Sequence, residues 1–68
     1  MIKCKFQKYS HSPAIKVLVS WHDGWRYAGD FDGDIFVALP TSFIYNQTNH
    51  EEIRQQYQLY LITQRLIA

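Results

Sequence analysis

The chain has one cysteine, Cys4, and therefore no internal disulfide. Small secreted domains of this size are commonly stapled by several bridges, so a lone thiol points to a reducing, cytoplasmic setting. No basic-then-apolar leader opens the sequence, and no apolar run reaches the ~20 residues that cross a bilayer, so no membrane association is expected. Neither sign of charge is in excess. Seven Lys and Arg stand against six Asp and Glu, for a net charge of +1 and a pI near 7.9. That balance excludes attraction of the whole molecule to nucleic acid or anionic lipid and leaves room only for local patches.

Glycine and proline are scarce, with three and two residues, so each one present acts as punctuation. Ser10-His11-Ser12-Pro13 reads as a turn, and Pro40 ends a strand because it has no amide hydrogen to give a ladder. His22-Asp23-Gly24 and Phe31-Asp32-Gly33 read as three-residue hairpin loops, with Gly in the left-handed third place. Between these marks the chain alternates apolar and polar residues, which predicts strands over about 2–9, 14–21, 25–30 and 34–39.

Three-residue loops set the register. They place Trp21 opposite Trp25, Val19 opposite Tyr27 and Val17 opposite Gly29, then Asp30 opposite Asp34 and Tyr27 opposite Val37. One apolar face results, made of Ile15, Val17, Val19, Trp21, Trp25, Tyr27, Ile35, Val37 and Leu39. A two-residue Asp-Gly loop would spread the aromatics over both faces, since a slip of one residue exchanges the two sides of a strand. The other face carries Lys3, Lys5, Lys16 and Arg26, with Leu18 and Phe36 among them.

Sixty-eight residues allow one domain, 1–68, burying only about 60% of the surface of its unfolded chain. Aromatic residues, 16% of the chain, supply the compensation. Residues 41–49 are consistent with either a short fifth strand or a helical turn through Phe43-Ile44-Tyr45. From about 49 to 67 nothing breaks a helix, and Thr48 with Glu51, or Asn49 with Glu52, has capping-box spacing. Ile53, Tyr57, Tyr60, Leu61 and Ile67 form the stripe that should cover the sheet, with Gln64 among them. The expected fold is α+β, a four-stranded antiparallel β-meander with one C-terminal α-helix packed on its apolar face and scope to curl toward a small barrel.

Candidates for chemistry are few. Asp30-Phe31-Asp32-Gly33-Asp34 departs from the spacing of a calcium loop and lacks its bidentate Glu. His11, His22, His50 and Cys4 show no zinc-ligand spacing, so neither a metal nor another cofactor is expected. No serine lies in a nucleophile-elbow context, and no catalytic residue is assigned.

Two surfaces remain. The acidic turn Asp30, Asp32, Asp34 would oppose like charges, an arrangement that suits a cationic partner. A second helix stripe, Leu59, Ile62 and Leu66, rimmed by Arg54 and Arg65, exceeds what a helix on one sheet needs. Together they suggest a small non-enzymatic protein-binding regulator or inhibitor, with a homodimer through the helix as one form of contact. The alternative is a small nucleic-acid-binding module using Lys3, Lys5, Lys16, Arg26 and Phe36.

Overall fold

The computed structural model describes residues 2–22, 24–39 and 47–67. Within them, strands β1 (Cys4–Lys8), β2 (Ile15–Trp21), β3 (Gly24–Asp32) and β4 (Ile35–Ala38) precede one helix, α1 (Gln47–Ile67). The strands pair in sequence order and antiparallel, giving an open four-stranded sheet with β1 and β4 at its edges. The α+β meander with a C-terminal helix is therefore the fold. The expectations for Phe43-Ile44-Tyr45 and for the side chains of Trp21, Leu66 and Ile67 lie outside the described residues.

Both hairpins are tighter than the glycine positions suggest. Trp21 pairs with Gly24, so the first loop has two residues, and His22 takes the left-handed conformation at φ 54°. Two-residue loops of this kind need a positive φ at their first central position, and His is among the non-glycine residues that tolerate it. Asp32 pairs with Ile35, so the second loop is Gly33-Asp34, with Gly33 at φ 60°. Asp30 faces Val37 and not Asp34, which removes the like-charge pair.

The one-residue change sends Trp25 and Tyr27 to the side of Ser20 and Leu18, away from Val17 and Val19. A β-bulge then adds Ala28 between the partners of Leu18 and Val17. Beyond it Val17 faces Gly29 as expected, and Phe31 turns inward opposite Ile15. In β4 it is Phe36 and Ala38 that pack toward the core, while Ile35 and Val37 face out.

What decides this arrangement is the core that Phe31 completes. Val17, Val19, Ala28, Phe31, Ile53 and Tyr57 are buried, with Ile2, Cys4, Phe6, Phe36, Tyr60 and Leu61 packed around them. The Phe31 and Tyr57 rings stack with centroids 3.7 Å apart, and Phe6 tilts against Tyr57 and Tyr60 at 5.6 and 5.1 Å. Burying Phe31 alone stabilises the fold by about 1.5–3 kcal/mol. Leaving β-branched Ile35 and Val37 in solvent forfeits comparable area, so the gain lies in the aromatic contacts of Phe31 with three other rings.

Helix α1 begins at Gln47, so Thr48 and Asn49 lie within its first turn and not ahead of it. Gln is a good helix former, and the helix runs back through it. Its inner stripe is the expected one over Ile53, Tyr57, Tyr60 and Leu61. Glu52 and Gln56 add polar anchors: the Ile2 amide donates to Glu52 Oε2 at 3.1 Å, and the Cys4 amide donates to Gln56 Oε1 at 3.0 Å. Gln56 Nε2 in turn donates to the Ile2 carbonyl at 2.6 Å. These side chains occupy the edge of β1 where a fifth strand would pair.

Candidate functional site

The helix covers one side of the sheet, and the side it leaves uncovered is organised in cross-strand rows. Lys3, Ser20 and Trp25 form the first: the Lys3 amide donates to Ser20 Oγ at 3.1 Å, and Ser20 pairs with Trp25. Lys5, Leu18 and Tyr27 form the second. Gln7, Lys16, Asp30 and Val37 form the third and cross all four strands. On β1 and β2 these rows lie two residues apart, roughly 6.8 Å, while on β3 the bulge makes the step from Tyr27 to Asp30 three residues.

Two lysines lie over the aromatic rings. Lys5 Nζ is 4.3 Å from the Trp25 ring centroid, and Lys16 Nζ is 5.7 Å from that of Tyr27. Trp25 and Tyr27 are still 42% and 36% accessible, and Tyr9 is 38% accessible. Ile35 and Val37 extend the apolar surface toward β4.

Asp30 joins two of these aromatics. The Tyr9 hydroxyl donates to its Oδ1 and the Tyr27 hydroxyl to its Oδ2, each at 2.5 Å. The hydrogen bond to Asp30 raises the pKa of both phenols above the ordinary tyrosine value, because it stabilises the protonated donor. The two rings are fixed on either side of one carboxylate.

Of the residues assigned to a nucleic-acid surface from the sequence, Lys3, Lys5 and Lys16 share this face. Arg26 is exposed but pairs with Val19, in the row that faces the helix side. Phe36 is a correction: it turns to the core, 5.1 Å from Phe31 and edge-on to His50 at 5.5 Å. Its place outside is taken by Tyr9, Trp25 and Tyr27. Pattern alone assigned Trp25 and Tyr27 to the core. The signal that locates them is His22, a residue able to hold the left-handed position that a two-residue loop requires.

The acidic turn also divides. Asp32 and Asp34 are exposed at the β3–β4 turn, whereas Asp30 is half-buried in the sheet face with its two tyrosines. On the helix, Leu59 and Ile62 are 64% and 51% accessible, and Arg54 and Arg65 beside them are exposed. Among the described residues there is no enclosed pocket and no group of three His, Cys, Asp or Glu gathered to hold a metal, and no helix is long and apolar enough to cross a membrane.

No family model, curated protein or solved structure matches the chain.

Proposed function

We propose that this protein is a small non-enzymatic binding module that takes single-stranded nucleic acid on its uncovered sheet face, in a reducing, cytoplasmic setting. The observation that carries the reading is the interleaving of accessible Trp25, Tyr27 and Tyr9 with Lys3, Lys5 and Lys16 on one side of the sheet. Single strands are bound by stacking bases on aromatic rings while cations follow the phosphates. A lysine over an exposed ring gains only ~0.5–1 kcal/mol, whereas a stacked base is worth ~1–3 kcal/mol. A base can therefore displace Lys5 from Trp25, and the released ammonium is free to reach the adjoining phosphate. Asp30 and Asp32 repel phosphate, which confines the backbone path to the β1–β2 side where the lysines stand.

Titrating a fluorescein-labelled ten-nucleotide oligouridine at low salt, read by anisotropy, tests the proposal. Saturable binding should weaken with salt at a logarithmic slope of about −1.5 to −2, the value for two or three phosphates neutralised on a single strand. Trp25→Ala should reduce affinity by about tenfold or more, through loss of one stacking platform. Unchanged anisotropy up to high protein concentration at low salt would reject the reading.

A second reading is favoured by the exposure of Leu59 and Ile62: a protein contact, of regulatory or inhibitory kind, through the outer helix stripe with Arg54 and Arg65 at its rim. Leu66 continues that stripe in sequence, and Asp32 and Asp34 offer an acidic turn to a cationic partner. If the partner is a second copy, sedimentation will show a dimer that Leu59→Lys dissociates. A monomer at every concentration removes that form of the contact.

A further inference from the structure

We infer that Asp30 gives the sheet face a preference for guanine, its carboxylate accepting the paired N–H donors of the guanine Watson–Crick edge. The inference rests on the single-strand reading above and adds the base to it. Its basis is the Tyr9–Asp30–Tyr27 cluster.

An ionised carboxylate only accepts hydrogen bonds, and each of its oxygens has about two lone-pair sites. Tyr9 uses one site on Oδ1 and Tyr27 uses one on Oδ2. One acceptor site is left on each oxygen, a fork that suits a ligand with two adjacent donors. Tyr27 also sets the position of the base. Its ring is partly accessible and its hydroxyl ends on Asp30, so a base stacked on that ring lies alongside the carboxylate.

Among the four bases, guanine alone has two neighbouring donors on its pairing edge, N1–H and the N2 amino group. Adenine and cytosine each set an amino group beside a ring nitrogen that is an acceptor, and that lone pair would face the second carboxylate oxygen. Uracil flanks its single N–H with two carbonyl oxygens. The same carboxylate that repels a phosphate thus selects a base edge.

The test uses the full chain and four fluorescein-labelled RNA heptamers. Each is oligouridine with a central guanine, inosine, adenine or cytosine, and binding is read by anisotropy at low salt. The guanine heptamer should bind about tenfold more tightly than the adenine or cytosine heptamers. Inosine keeps N1–H but lacks the N2 amino group, and should fall between them. Asp30→Asn should abolish the difference between the guanine and adenine heptamers, whatever the change in affinity common to both. The inosine comparison is made on the unaltered protein and so stands even if the variant folds poorly. Four equal, salt-sensitive affinities would overturn the guanine preference and leave the single-strand reading intact. No binding to any heptamer would overturn both, and Asp30-dependent binding of an arginine-rich peptide in its place would assign the carboxylate to a guanidinium partner.

Discussion

At Gly29 strand β3 passes β4 so closely that a Cβ would lie 2.3 Å from the Val37 carbonyl oxygen and 2.9 Å from the Ala38 Cα. Its φ of +144° is also one that L side chains rarely adopt. Both obstacles are backbone, which cannot swing aside as a side-chain tip can. Gly29→Ala should therefore cost about 3 kcal/mol or more, seen as a large fall in the urea midpoint or as failure to fold. Val17 opposite Gly29 is the expected pair, but it is reached through a two-residue loop and a bulge at Ala28 in place of the three-residue loop, and nothing in the sequence pattern marks the close approach of β4. Cys4 makes a second residue-scale case. Burial, with the Glu52 carboxylate adding to it, pushes its thiol from 9.0 up to about 11. The thiolate is the reactive form, so at pH 8 iodoacetamide should alkylate Cys4 about a hundredfold more slowly than an unperturbed thiol. As the folded pKa is the higher one, this group's contribution to stability is fully present below pH 9 and is lost as pH rises toward 11.

The strands and the helix were readable as elements because their periods differ and their ends carry turn residues. The inner helix stripe of Ile53, Tyr57, Tyr60 and Leu61 follows from the 3.6-residue period alone. Gln56 does not. A hydrophobic pattern assigns Gln to solvent, yet Gln56 bonds both a donor and an acceptor on the edge of β1. That role is set by where the helix lands across the sheet, a tertiary fact. Gln56→Ala leaves the Cys4 amide and the Ile2 carbonyl without these partners, while helix propensity changes little or improves. The expected loss is about 1–2 kcal/mol, discounted because the site is only half-buried and water can replace part of it. Hydrogen exchange at the Cys4 amide should accelerate by more than that at buried Val17 and Val19, which separates a loosened edge from global unfolding. Equal acceleration at all three amides would mean that Gln56 supports the fold as a whole and not the edge.

For the whole molecule, one sheet assigns stability and the proposed recognition to opposite faces. Which residues fall on which face goes with the length of the first hairpin loop: with His22 left-handed the loop has two residues, and Trp25 and Tyr27 lie outward while Phe31 completes the core. Strand order, strand direction and the place of the helix were legible without that detail. The face of each aromatic in β3, and with it the candidate site, was not. The two faces should therefore respond differently to truncation. Val17 is fully buried against the helix-covered core, so Val17→Ala should lower stability by about 2 kcal/mol through lost transfer energy and the cavity left behind. Trp25 is larger but 42% accessible, and on an open face its truncation leaves no enclosed cavity, so Trp25→Ala should cost less than Val17→Ala, about 1 kcal/mol. Urea unfolding of the two variants, followed by circular dichroism, makes the comparison. Should Trp25→Ala prove as damaging as Val17→Ala, the tryptophan would be a structural support, and the outer face would lose its claim to be a surface kept for a ligand.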